Sequence, residues 1–371
     1  MKKKIILILA ILFTNYSFVQ ANHKTFEYHF WGTNFFEVEG SKKHYKFKKD
    51  IVVDKDVKKA INNSSKTGLI SYLLFENNTI KIDEQNLPTN IKNNNNLLMS
   101  NSVGKSLVSY VTGHAICEGY IDNVDVILND WPLLNGTLYE GQKLIDILNM
   151  SAGDQKIIGE KNFKSDNYIK DGKINVNIMP IGVYLQSDLL QNTKKGKSVY
   201  NYNALATNVI MNYVIHKTGD DWEKLLHKVF NEYVKVENNV YFNQTTQRHQ
   251  KPKAGRYTFF ATHYDYLRIA KTMLDDWNND TCVGKYLKTV YERRINKNQK
   301  SETNIGIFAY TKSYGGQFHF DVIGIKNRKI LGMDGYGGQQ VIIDFDKGRI
   351  IVVNTIDRHY NWQKLVYKKL K

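Results

Sequence analysis

An α/β sandwich, in which an antiparallel sheet joins the two ends of the chain and a helical segment is inserted between them, is the fold class that the sequence predicts. Three observations predict it. A pair of strand-like runs opens the domain near residue 69, a long stretch of mainly helical periodicity follows, and strand-like runs with a closing amphipathic helix end it. With 371 residues, 42% hydrophobic and 4 prolines, the chain has the composition of a globular protein with a sizeable core, not of a disordered or collagen-like one. Its 2 cysteines give neither a disulfide framework nor zinc spacing, and no His-Glu-x-x-His run or carboxylate cluster calls for a metal or another cofactor.

The first residues differ from the rest. Lys2, Lys3 and Lys4 precede an apolar run from Ile5 to Phe13, and Val19-Gln20-Ala21 offers small residues for cleavage. This is the pattern of a secretory signal peptide over residues 1–21, and the apolar run is too short to span a bilayer, which needs about 20 residues. The expectation is an exported, periplasmic or secreted bacterial protein. No cysteine near the cut suggests a lipid anchor.

Residues 22–67 form an N-terminal extension, with Phe30-Trp31 and Phe35-Phe36 as packing residues and a basic patch from Lys42 to Lys49. The main domain is expected over 68–371. Leu69 to Phe75 reads as a strand, Asn77-Asn78 as a tight turn, and Thr79 to Ile82 as the returning strand. Val103, Leu107, Val111 and Ala115 then recur at helical spacing, and Gly119 supplies the stop. Further helices are expected at Leu144–Leu148, Thr207–Lys217 and Tyr264–Leu274, with the helical insertion covering roughly 120–240. Strands are expected at Ile305–Tyr310, Gln317–Ile323, Val341–Phe345 and Arg349–Asn354, before an amphipathic helix carrying Trp362, Leu365, Val366 and Leu370. Cys117 and Cys282 could pair in an oxidising compartment, but Cys117 falls on the expected core helix, which argues against it.

The formal charge of +16 comes from lysines scattered among asparagines, isoleucines and tyrosines, with no aromatic-basic stripe. That excludes a nucleic-acid partner as the working expectation, although the charge suits an anionic envelope surface.

Ser102-Val103-Gly104-Lys105 matches S-x-x-K. Ser102 stands where the helix begins, and Lys105 lies on the same face about one turn on. Helix N-terminal N–H groups favour an alkoxide there, and a neutral amine can take the serine proton. Gly104-Lys105-Ser106 is not a phosphate-binding loop, because Met99 occupies the position of its first glycine.

The stretch from Met99 to Ile121, followed by Lys143-Leu144-Ile145-Asp146-Ile147-Leu148-Asn149-Met150-Ser151-Ala152-Gly153, resembles the serine β-lactamase and penicillin-binding-protein-like hydrolases. It is most similar to the class C branch with its esterases and 6-aminohexanoate-dimer hydrolases, and the similarity runs from about residue 69 to the end. The resemblance implies a β-lactamase/transpeptidase-like fold, Ser102 as nucleophile and Lys105 as its base. The family's Tyr-x-Asn/Ser motif falls on Tyr202-Asn203-Ala204. Tyr202 is then the proton shuttle, with Tyr200 two residues away as the alternative, and Ala204 leaves the lysine's orienting partner unidentified. Gly335-Tyr336-Gly337-Gly338-Gln339 resembles the third, glycine-rich motif, whose backbone N–H near Gln339 would complete an oxyanion hole with that of Ser102. Ser165-Asp166-Asn167 and Lys217-Thr218-Gly219 spell class A motifs in the wrong context and are read as coincidences. Tyr336 stands where β-lactamases and peptidases place Lys or His, so it brings no fixed charge for a substrate carboxylate.

The expectation is therefore an exported serine hydrolase acting through an acyl-enzyme on a small-molecule ester, amide or peptide. A peptidoglycan DD-peptidase or β-lactamase is the enzymatic alternative. A catalytically inactive binding protein of the same fold is the non-enzymatic one, kept open by Ala204 and Tyr336.

Overall fold

A computed structural model describes residues 34–155, 181–187, 190–246, 249–297, 306–358 and 360–371. The proposed leader and Ser165-Asp166-Asn167 lie outside the described residues. The first hairpin forms as its sequence dictates: β3 (Leu69–Glu76) and β4 (Thr79–Gln85) pair antiparallel across Asn77 and Asn78, both at positive φ (52° and 58°). Asparagine tolerates that conformation, which matches the twist of paired strands. Ahead of it, β1 (Phe35–Val38), β2 (Lys48–Lys49) and the helix α1 (Lys55–Asn62) come from the residues read as an extension. Asp54 caps α1, its carboxylate accepting from the N–H groups of Asp56 and Val57.

After β5 (Leu98–Met99), the helix α2 (Val103–Cys117) is buried on almost every side, which its run of Val, Leu, Gly, Ser and Ala permits. Next come α3 (Leu144–Leu148) and α4 (Ala204–Thr218), then β6 (Val240–Gln244), β7 (Gly255–Ala261), α5 (His263–Asn278) and α6 (Cys282–Glu292). The chain closes with β8 (Ile295–Asn296), β9 (Thr311–Gly315), β10 (Phe318–Val322), β11 (Ile330–Asp334), β12 (Gln340–Asp344), β13 (Arg349–Thr355) and a helical segment over 363–370.

Nine strands make the main sheet in the order β2-β4-β3-β13-β12-β11-β10-β9-β8, antiparallel except for the β2–β4 pair. Strand β3 from the first part of the chain pairs with β13 from its end, Phe75 opposite Ile350, so the expected joining of the termini is present. A second sheet, β1-β6-β7-β5, joins β1 from the N-terminal part to strands from residues 98–261. One apolar core packs one face of the main sheet against α2, α4, α5 and α6; a second packs the other face against α1 and the C-terminal segment. There the Tyr72 hydroxyl donates to the Leu365 carbonyl at 2.8 Å.

Two readings of the sequence are corrected. Residues 306–309 form a helical turn where a strand was expected from Ile305; Gly306 sits at φ 82° and Ile307 packs on Gly332. Cys117 and Cys282 are joined in a disulfide, their Cα atoms 5.8 Å apart. Cys117 is in the last turn of α2 and Cys282 opens α6, which packs beside it, a proximity invisible across 165 residues of sequence. Closing so long a loop restricts the unfolded chain, so replacing both cysteines with alanine is expected to lower stability by about 2–5 kcal/mol. Urea unfolding of wild type and double variant checks this; equal midpoints would refute it.

Candidate active site

The nucleophile motif is placed by a backbone-to-backbone contact. Ser100 continues the edge pairing of β5 with β7, its N–H donating to the Phe259 carbonyl (2.8 Å) while its Oγ accepts from the Phe259 N–H (2.8 Å). Asn101 then turns the chain at φ 47°, and α2 begins. Gly104 in its first turn lies so close to β7 that a Cβ there would stand 1.9 Å from the Tyr257 carbonyl oxygen. Glycine in S-V-G-K is therefore a packing requirement: a side chain would push the head of α2 off the sheet.

Ser102 sits at the N-cap of α2, partly accessible, and its hydroxyl makes no capping bond. Lys105 is 2% exposed. Its Nζ donates to the Asn203 carbonyl (3.3 Å) and lies 5.2 Å from the Tyr202 ring centroid and 3.8 Å from that of Tyr257. Burial pulls its amine below the ordinary lysine range, with Tyr257 acting in the other direction.

Of the two candidate tyrosines, Tyr202 is the one whose hydroxyl lies within reach of Ser102. Burial holds its hydroxyl protonated far above the usual range. Its ring is walled in by Phe308 (5.1 Å), Tyr314 (5.9 Å) and His319 (6.4 Å). The Tyr200 hydroxyl is buried without a hydrogen-bond partner.

The partner for the lysine, sought two residues after Tyr202, is the main-chain carbonyl of Asn203. That residue caps α4, its Oδ1 accepting from the Ala206 N–H (2.8 Å). Its Nδ2 donates to the buried Asp154 carboxylate (3.0 Å), which also receives Asn201 Nδ2 (2.7 Å) and the Tyr139 hydroxyl (2.8 Å). Asp154 thus fixes the residues on both sides of Tyr202. Neither Asp154 nor Tyr257 was singled out from sequence. The available signals were an acidic residue directly after Ser151-Ala152-Gly153 and a tyrosine two residues after Gly255.

The third motif is the turn between β11 and β12. The Gly335 N–H donates to the Gln339 carbonyl and the Gly338 N–H to that of Gly335, both at 2.8 Å. Gly338 is at φ 94°, and its missing Cβ would meet Thr355 Oγ1 at 2.7 Å and Arg358 Cα at 2.8 Å. A Cβ on Gly335 would stand 2.8 Å from the Ser100 carbonyl, and Asn101 Nδ2 donates to Gln339 Oε1 (3.0 Å). The turn of Tyr336, Gly337, Gly338 and Gln339 therefore abuts the segment leading into Ser102. Lys217-Thr218-Gly219 is far from this arrangement: Lys217 pairs with Asp130 (2.6 Å), and Gly219 ends α4 at φ 56°.

Tyr336 is 50% exposed, but a fixed cation does lie beside it, which the sequence did not reveal: the Arg358 guanidinium is 5.4 Å from its ring centroid. Arg358 Nη2 is 3.9 Å from the Asp334 carboxylate. Burial pushes Asp334 up to about 7 against the opposing charges of Arg358 and Lys297. Among the described residues, no cluster of His, Cys, Asp and Glu could hold a metal.

The fold is that of serine β-lactamase and penicillin-binding-protein-like structures. No protein-family model and no curated protein matches the chain. Solved structures do. The chain is similar to a protein assigned as a 6-aminohexanoate-dimer hydrolase from Bacillus anthracis (14% identity, 91% of this chain and 89% of that one, TM-score 0.60). A β-lactamase from Sulfitobacter sp. EE-36 (11%, 85% and 97%, 0.59) and a D-stereospecific amidohydrolase from Streptomyces sp. (12%, 85% and 98%, 0.55) are also similar.

Asp334 gives a pH-dependent prediction. A carboxyl whose folded pKa lies above its unfolded value stabilises most at low pH, and that contribution is lost as pH rises through the folded pKa. Relative to wild type, Asp334→Asn should therefore gain stability between about pH 4 and about pH 7, by roughly 3–4 kcal/mol at 1.4 kcal/mol per pKa unit. Paired urea titrations at the two pH values measure it; a difference that does not change with pH would count against the buried carboxyl.

Proposed function

We propose that the chain is an exported serine hydrolase that works through an acyl-enzyme on an ester or amide. The observation that carries this reading is the buried Lys105 amine one helical turn from Ser102, 5.2 Å from the ring of Tyr202, whose hydroxyl lies within reach of that serine. As Ser102 Oγ attacks the carbonyl carbon, its proton passes to Lys105, directly or through the Tyr202 hydroxyl. The N-terminal end of α2 and the glycine-rich turn before Gln339 flank the position of the developing oxyanion. The proton then goes to the leaving group, and a water molecule repeats the sequence to release the acid. The Cys117–Cys282 disulfide supports the exported location, since such bonds persist in oxidising compartments.

A peptidase or β-lactamase reading is favoured by one observation, Arg358 beside Tyr336, because a guanidinium is a bidentate partner for a substrate carboxylate.

The test is the intact mass of the mature protein after exposure to a fluorophosphonate. One adduct is expected in wild type and none in Ser102→Ala, while Lys105→Met should slow labelling by about 10²–10⁴-fold. An unlabelled wild type would favour a binding protein of this fold. A labelled one can then be offered neutral and carboxylate-bearing esters, amides and β-lactams.

A further inference from the structure

Lys105 stands between two tyrosines, and the proposed chemistry uses only one of them. The other, Tyr257, is buried against the amine, which lies over its ring, 3.8 Å from the centroid. The Gly104–Tyr257 main-chain contact fixes this pair from the residue next to each side chain. From β7 itself, Arg256 lies 5.6 Å from the same ring. Tyr257 thus faces two cations.

The other ionisable groups on the elements around β7 are engaged elsewhere. On α4, Tyr213, His216 and Lys217 all bond to Asp130. On β6, Tyr241 bonds to Glu37; on α2, Tyr110 bonds to Asp276 and His114 packs between Tyr110 and Tyr233. β5 carries none. Across the amine, Tyr202 is influenced by Asp334 and Arg358.

We propose that Tyr257 acts through Lys105 as a positioning residue, its hydroxyl oxygen being the counter-charge that holds the lysine proton while Ser102 is a nucleophile. This rests on the serine-hydrolase reading. As the Ser102 O–H bond breaks and the Oγ–carbon bond forms, Lys105 becomes an ammonium in a site that burial makes hostile to charge. The Tyr257 oxygen sits beside it to offset that cost. When the bond to the leaving group breaks, the same proton moves to the leaving group, and the pair returns to its starting state with nothing consumed.

The two tyrosines differ as this division of work requires. Burial keeps Tyr202 protonated, a carrier that is never itself ionised. Burial also raises Tyr257, but Lys105 and Arg256 outweigh it and bring its hydroxyl down to about 8. Below that pH Tyr257 keeps its own proton. Above it the pair has lost one proton: with the remaining one on the Tyr257 oxygen the amine is free to take that of Ser102, and with it on the amine Tyr257 is the tyrosinate that absorbance reads.

Titration of the folded protein by near-ultraviolet tyrosinate absorbance reads the pair without any reaction. One tyrosine is expected to ionise at about 8, ahead of ordinary tyrosines near 10. That step should vanish in Tyr257→Phe and move up by more than about one pH unit in Lys105→Met. The fluorophosphonate labelling rate should rise through the same pH in wild type and in Tyr202→Phe. In Tyr257→Phe it should drop at least about tenfold and its rising limb should move. A wild type with no early-ionising tyrosine, or a Tyr257→Phe limb unmoved whatever its height, overturns the proposal. If Tyr257→Phe does not fold, judged by circular dichroism, the shift in Lys105→Met decides instead. An early tyrosine in a protein that takes no label counts against the hydrolase reading alone.

Discussion

The contact between Gly104 and the carbonyl of Tyr257 is the constraint on which the rest of the site depends. It brings the first turn of α2 onto the edge of the small sheet, and from there Lys105 has no route to water. Once buried, the amine must find its partners among protein groups: the Asn203 carbonyl and the ring face of Tyr257 supply them. A lysine on the exposed side of the same helix would stay protonated and solvated. The difference between a surface cation and a base is made here by one missing methyl group and the strand it admits.

Around that contact the protein arranges a ring of fixed backbone. Asp154 holds Asn201 and Asn203, so Tyr202 is gripped from both neighbours in sequence. Asn101 and Ser100 hold the third motif, through the Gln339 side chain and the close approach of Gly335. Three segments, separated by about a hundred residues each, are tied to one another through these polar contacts. Such networks fix geometry because each lost bond leaves a buried polar group unsatisfied.

What the sequence revealed and what it hid divide along range. The β3–β4 hairpin, the α2 periodicity and the Ser102–Lys105 spacing are local and were legible. So was the sheet at the C-terminal end, because Val341–Phe345 and Arg349–Asn354 flank a turn at Asp346-Lys347-Gly348. Tyr257, Asp154, Arg358 and the Cys117–Cys282 pair act across long separations, and no spacing rule encodes them. β7 escaped notice because both its faces are buried, which removes the alternation that marks a half-exposed strand. The strand expected from Ile305 became a helical turn because β9 to β11 already cover that edge and Ile307 must pack down onto Gly332.

The pairing of β3 with β13 has a further consequence, for how the chain reaches this state. The central seam of the main sheet joins Phe75 to Ile350, so it cannot close until almost the whole chain is available. Contact order this high makes folding slow, since the entropy of closing a long loop must be met before the seam contributes anything. A nascent chain lacking its last residues would hold two half-sheets with open edges instead of one nine-stranded sheet. For the exported chain proposed above, late closure would leave the β3–β13 seam open until the last strand has crossed the membrane.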